Sequence, residues 1–242
     1  MSHDSNIDPA TAAIAFYLTP GHNCSYLHNR EAMTLFLDPN APVSEHLYTR
    51  LTQDGFRRSG RYLYRPRCPH CESCQPLRIP VQRFHPNRSQ RRIMAQNSDL
   101  TTCKRTDEFH HEHFGLYQRY LNARHRDGGM DHPEPAKYMD FLTSPWSITQ
   151  FVEFRLQSTL LAVAVIDELE DGYSAVYTFF DPEHARRSLG IFAILWEIEQ
   201  AKNEGLHYLY LGYLINECRK MSYKSDFKPH EVLQDRKWVM VA

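Results

Sequence analysis

No apolar run in this sequence approaches the roughly 20 residues that a bilayer-spanning helix needs. The start, Met1 to Pro9, lacks a positive stretch followed by an apolar one, so no signal peptide is expected and the chain is placed in the cytoplasm. Net charge is also nearly absent, since 28 Lys and Arg stand against 29 Asp and Glu. That balance excludes a protein that coats nucleic acid through its overall charge, but it permits a local basic patch. There is no internal repeat and no low-complexity segment. What is present is an ordinary globular composition, 42% apolar and 24% charged over 242 residues, enough for one large domain or two modest ones.

Six cysteines in a reducing compartment point to metal or thiol chemistry rather than disulfides. Cys68, Cys71 and Cys74 stand at metal-ligand spacing. A tetrahedral site needs a fourth donor, and Cys24 is the natural one, ahead of His70 and Cys103. The run also resembles the first three ligands of a bacterial ferredoxin, without the fourth Cys-Pro. Zinc, an iron–sulfur cluster and metal-free thiols all stay open. His110, His111 and His113 lack the i, i+4 spacing of a helical zinc site and are expected to face solvent without a role.

Patterning predicts a strand at 12–18, a helix at 42–51 capped by Ser44, and strands at 62–67 and 77–84. The basic, polar stretch 88–97 marks an expected boundary between a cysteine-containing N-terminal domain, 1–97, and a second domain, 98–242. Helical patterning begins at Thr106, Asp127-Gly128-Gly129 breaks it, and a further helix runs from about Pro133 to Leu142. Strands at 151–156, 160–166 and 173–180 read as an antiparallel meander. A helix at 189–203, with Ser188 as its N-cap and Gly205 at its stop, precedes a strand at 206–211.

This order predicts an α+β fold of the N-acetyltransferase-like, GNAT-type kind: a mixed sheet with flanking helices, plus the smaller cysteine-containing domain. N-acetyltransferases hold the coenzyme A pyrophosphate at a helix N-terminus with an Arg-x-x-Gly-x-Gly/Ala loop. Here Arg187, Ser188, Leu189 and Gly190 follow that pattern, but Phe192 replaces the small residue. The acyl carrier is therefore expected not to be coenzyme A.

Several motifs, in order, resemble the arginyl-tRNA–protein transferases. In the second half they are Ala175-Val-Tyr-Thr-Phe-Phe-Asp181-Pro182, Ser188-Leu-Gly190, Tyr208-Leu-Tyr-Leu-Gly212-Tyr213 and Cys218-Arg-Lys-Met221-Ser-Tyr223-Lys224. In the first half they are Cys24-Ser-Tyr-Leu27, Tyr64-Arg-Pro66, Cys74-Gln-Pro-Leu-Arg78 and Phe84 to Arg92. The short length and the cysteine run resemble the bacterial branch, the aspartate/glutamate leucyltransferases. The arginyl enzymes carry a second cysteine soon after the first and a later Cys-Cys pair, where this chain has Leu27 and Ser73.

The resemblance implies transfer of leucine from leucyl-tRNA to the α-amine of proteins beginning with Asp or Glu, marking them for the N-end rule pathway. Arginine as donor, or a non-catalytic metal-stabilised RNA-binding module, are the alternatives. An aminoacyl ester is already activated, so no covalent nucleophile is required; the site must move a proton and stabilise an oxyanion. Asp181, which ends a strand beside Pro182, is the first candidate for the proton, with Tyr223 and Lys224. Tyr177 and Tyr210 are candidate hydrogen-bond donors to substrate. Arg78 and Arg219, with Lys220 and Lys224, are candidates to bind an acidic side chain. Arg88, Arg91 and Arg92 are expected to meet tRNA phosphates, with Arg83, Lys104 and Arg105 nearby.

Overall fold

The structure, a computed structural model, describes residues 14–124 and 133–241. The chain opens with β1 (Phe16–Leu18), a short hairpin of β2 (His22–Asn23) and β3 (Glu31–Ala32), β4 (Thr34–Leu37), α1 (Glu45–Gln53), β5 (Arg57–Ser59) and β6 (Tyr62–Pro66). Four of these strands form an antiparallel sheet in the order β1-β4-β6-β5. Helix α1 is capped as the sequence predicts, with Ser44 Oγ accepting from the Leu47 amide at 3.1 Å. Its buried face, Tyr48 and Leu51, closes a small core with Leu37, Phe56 and Leu63.

The chain then enters β7 (Gln75–Pro80), α2 (Arg88–Gln96), β8 (Thr101–Arg105), α3 (His111–Arg124), α4 (Pro135–Leu142), β9 (Thr149–Leu156), β10 (Thr159–Leu169) and β11 (Gly172–Phe180). A 3-10 segment, Pro182–Arg187, leads into α5 (Leu189–Asn203), β12 (Tyr208–Leu214), α6 (Arg219–Ser222), β13 (His230–Gln234) and β14 (Lys237–Val241). Eight strands make one mixed sheet in the order β14-β13-β7-β12-β11-β10-β9-β8. The expected meander is β9–β10–β11, and α5 has the expected bounds. Neighbouring strands of the large sheet are antiparallel except for β11 and β12, which run parallel. Helix α3 packs on β10 and β11, and α5 packs on β10 to β12 and on α2. The fold is thus α+β, a large mixed sheet with flanking helices.

Several expectations change. The stretch 88–97 is no linker but the helix α2, with an Asn87–Gln90 capping box and with Ile93 and Met94 packed on the core. The strand expected at 77–84 ends at Pro80 and gives way to a 3-10 turn. Strand β7, from the expected first domain, lies inside the large sheet between β12 and β13. Ser188 sits before α5 with φ +53 and makes no side-chain cap. The break at Asp127-Gly128-Gly129 lies outside the described residues. Edge strand β8 fills a stretch for which no element was expected, and the helix expected from Thr106 begins at His111.

One buried ion pair ties the two sheets. Arg58 of β5 donates to both carboxylate oxygens of Asp167 in β10, at 2.5 and 2.8 Å, and neither side chain touches solvent. Tyr48 and Thr149 donate to the same carboxylate, and Arg58 also reaches the Leu142 carbonyl. Every charge is matched by hydrogen bonds, which lets a buried pair persist.

Candidate active site

Strands β11 and β12 pair only between Gly172–Ser174 and Tyr208–Tyr210, and then part. Each carries an extra residue at the point of parting, Val176 in β11 against β10 and Leu211 in β12 against β7. The parted strands leave carbonyls without a ladder, and those of Ala175 and Val176 are taken by Arg57 Nη2 at 3.2 and 2.6 Å. Gly212 makes room for it: at φ +73, any side chain there would run into the Arg57 guanidinium. Arg57 carries no sequence signal, because an arginine in a short polar strand reads as surface charge.

Lys224 follows α6 and turns inward at this opening. It is 6% exposed, and its Nζ donates to the Tyr213 carbonyl at 2.9 Å. Burial, reinforced by the Arg57 cation, lowers its pKa to about 7. Tyr223 beside it keeps 38% of its surface exposed, yet burial raises its hydroxyl pKa, with a further contribution from Glu197. Glu197 of α5 is fully buried, and among the described residues neither carboxylate oxygen has a hydrogen-bond partner. Burial raises its pKa to about 8, so it is neutral at pH 7. The sequence reading missed it because it occupies what looks like an apolar helix face.

The other candidates are scattered. Asp181 follows β11, where its carboxylate accepts from the Glu183 amide at 2.9 Å and lies 3.5 Å from Arg119 Nη2, so it caps the following turn. Tyr177 packs among Tyr117, Tyr120 and Phe141, and burial raises its hydroxyl pKa. Arg78 is taken by Glu231 at 2.7 Å, and its guanidinium stacks on Tyr208 and Trp238. Tyr210 donates to Asp171 at 2.8 Å and meets Arg78. Arg219 is exposed on α6. Arg187 forks onto Asp99 at 2.8 and 2.9 Å, and Phe192 packs on Phe154. Arg88, Arg91 and Arg92 project from one face of α2, exposed and in no ion pair among the described residues. His113, expected in solvent, is instead buried against Phe151 with Nε2 2.8 Å from Glu153.

Cys24, Cys68, Cys71 and Cys74 line one cavity of about 1000 Å³, beside Tyr213. Burial and the thiols of Cys24, Cys68, Cys71 and Cys218 push the Cys74 thiol up to about 12. Cys218, near enough to act on the Cys74 thiol without lining the cavity, was not marked as part of this set by the sequence. Hydrogen bonds from Ser73 lower the Cys71 thiol. Amides of Tyr26 and Leu27 point at Cys24 Sγ, at 3.5 and 3.4 Å. Among the described residues, no three His, Cys, Asp or Glu side chains converge closely enough to hold an ion as they stand.

The chain matches two family models. The arginine-tRNA-protein transferase C-terminus model matches residues 112–234 and the N-terminus model residues 22–92. The chain belongs to the arginine-tRNA-protein transferase family. Within it, the chain is 55% identical over 224 residues to a Nitrosococcus oceani protein named aspartate/glutamate leucyltransferase, covering 92% of this chain and 94% of that one. A Hahella chejuensis protein of the same name is 51% identical, over 94% and 97% of the two chains. Among solved structures, the C-terminal domain of an Agrobacterium fabrum protein described as a lysylphosphatidylglycerol synthetase superposes with a TM-score of 0.47 at 13% identity, covering 81% of this chain and 64% of that one.

Proposed function

We propose that the chain is an aminoacyltransferase that moves leucine from leucyl-tRNA to the N-terminal α-amine of proteins beginning with Asp or Glu, marking them for the N-end rule pathway in the cytoplasm. The observation that carries this reading is 55% identity, nearly end to end, to a relative named for that activity. The scaffold reads as GNAT-type, supported by the two bulged strands that part after a short parallel contact.

In the reaction the neutral α-amine attacks the ester carbonyl carbon. A C–N bond forms, the bond to the ribose oxygen breaks, and deacylated tRNA leaves. Neutral Lys224 Nζ takes the amine proton, and the same proton, or that of the Tyr223 hydroxyl, goes to the leaving ribose oxygen. Its low pKa supports this role, since an ordinary lysine is charged at neutral pH. Asp181 positions the turn at the end of β11, and Arg57 holds the strands apart. Arg88, Arg91 and Arg92 meet the tRNA phosphates. A carrier other than coenzyme A is supported by Arg187, which is engaged by Asp99, and by Phe192, which stands where the pyrophosphate motif has a small residue and packs on Phe154.

The thiol set suits a soft cation, zinc or an iron–sulfur cluster, because all four donors are sulfur and two amides already point at Cys24 Sγ. Cys24, Cys68, Cys71 and Cys74 would hold it, and it would tie the β2–β3 connection to the segment entering β7. No step of the transfer passes through it.

The test offers the purified protein leucyl-tRNA or arginyl-tRNA, each labelled in the amino acid, with Asp-, Glu- and Ala-initiated peptides. Label should move from leucyl-tRNA to the Asp and Glu peptides alone. Transfer from arginyl-tRNA only would replace the donor, and no transfer from either would remove the enzyme reading.

A further inference from the structure

The transfer reading leaves open how an N-terminal Asp or Glu is distinguished from its uncharged amide. The cavity beside Tyr213 is lined by Arg30, Arg65, Arg67 and Arg236. Elsewhere in the molecule Arg58, Arg78, Arg155 and Arg187 all have carboxylate partners. Among the described residues, none of the four cavity arginines does.

Arg65 is the least exposed of the four. Its Nη1 donates to the Asp54 carbonyl at 3.0 Å, its guanidinium lies over the Phe56 ring, and its buried Nε has no partner. Burial and the neighbouring Arg67 and Arg236 cations lower its pKa, a cost that an arriving anion would relieve. Arg236 adds a second, independent sign. With Asp235 it forms the two-residue turn between β13 and β14, at φ +62 and +48. Such a turn favours Gly or Asn, so a long cationic side chain is held there against backbone preference, and it lines the cavity.

The cavity also adjoins the reacting end of the site. Tyr213 forms part of its wall, and the Tyr213 carbonyl accepts from Lys224 Nζ. A peptide amine held at Lys224 Nζ would place its first side chain within reach of Tyr213. A cavity of about 1000 Å³ has room for the start of a peptide beside the thiols that share its wall. Glu31, Asp54, Glu72 and Asp235 line the cavity as well. They would repel the continuous charge of a nucleic acid strand, whereas a single carboxylate on a short stem can reach a guanidinium fork without approaching them.

We propose that Arg65, Arg67 and Arg236 form the receptor for the side-chain carboxylate of an N-terminal Asp or Glu. The proposal rests on the transfer reading and names the specificity element of that same site.

The test compares the full-length protein with Arg67→Gln and Arg236→Gly variants, using leucyl-tRNA and a matched pair of peptides beginning with Asp or Asn. Arg236→Gly removes the charge while relaxing the turn, so its melting temperature should not fall. Both variants should raise the KM for the Asp peptide by about 10- to 100-fold, the loss expected for one charge-assisted pair. The KM for leucyl-tRNA and the rate with the Asn peptide should stay within about twofold of wild type. An unchanged Asp-over-Asn preference in both variants would overturn the proposal. So would a loss confined to the KM for leucyl-tRNA, which would assign the wall to RNA. Should the wild type transfer no leucine at all, the transfer reading fails by itself. Calorimetric titration of the two peptides without tRNA then decides the receptor: arginine-dependent preference for Asp upholds it, and equal binding rejects it.

Discussion

At the scale of single residues, Lys224 shows most clearly what burial does to chemistry. In an unfolded chain its amine would titrate near 10.5, and in the fold it does so at about 7. The fold thus favours the neutral form. The stability linked to this group is complete above the unfolded value and is lost progressively as pH falls towards the folded one. In the reaction, the base becomes available as pH rises through about 7. We expect kcat to rise through that region and level off, and Lys224→Met to lose this limb together with about 100-fold or more of kcat. A limb that persists in the Met variant would assign the proton to another group. Measuring kcat rather than kcat/KM separates Lys224 from the free substrate amine, whose own pKa lies at roughly 7.7–8.0. Lys224 was legible in the sequence as a candidate because it lies in a motif. Its burial and the neighbouring Arg57 were not, because they depend on tertiary packing and Arg57 stands more than 150 positions away in the chain, and the bond to the Tyr213 carbonyl depends on how β12 and the following turn pack.

At the scale of elements, α2 illustrates how a polar run can be misread. Arg88, Arg91 and Arg92 make the segment look like a solvated linker, but Asn87 and Gln90 supply a capping box and Ile93 and Met94 supply a narrow apolar stripe. The helix therefore forms, and it gathers three cations on its outer face at i, i+3 and i+4. Nearby Lys104 and Arg105 are neutralised by Glu204 and Glu153, which leaves α2 as the exposed positive element of this region. Arg91→Glu with Arg92→Glu should weaken filter-bound tRNA and flatten the slope of log affinity against log salt by about two, one per lost phosphate contact. Melting temperature should barely move, because neither side chain is buried. Unchanged affinity and slope would remove α2 from the tRNA path.

At the scale of the whole molecule, the two sheets depend on one another. The small sheet supplies Arg57 to the parted strands, and Arg58, its neighbour in sequence, is locked to Asp167 of β10. Asp167→Asn leaves a buried guanidinium without its counter-charge and should cost about 3–5 kcal/mol in denaturant unfolding. A loss under 1 kcal/mol would show that Arg58 finds another partner or water.

The sequence by itself determined the local elements whose signals are local. The β9–β11 meander, the bounds of α5 and the Ser44 cap of α1 follow from alternation, helical periodicity and a side chain three residues from its amide. It also determined the family, because long motifs survive in order. Tertiary structure decided everything that needs distant segments to meet. It inserted β7 between β12 and β13, put β13 and β14 at the sheet's edge, and brought Arg57 and Lys224 to one opening. It also set unpaired arginines around the cavity that holds the thiols. The physical reason is that strand pairing and burial are long-range properties. A residue's type fixes what it can donate, accept or bury, while its environment decides whether it carries charge at neutral pH.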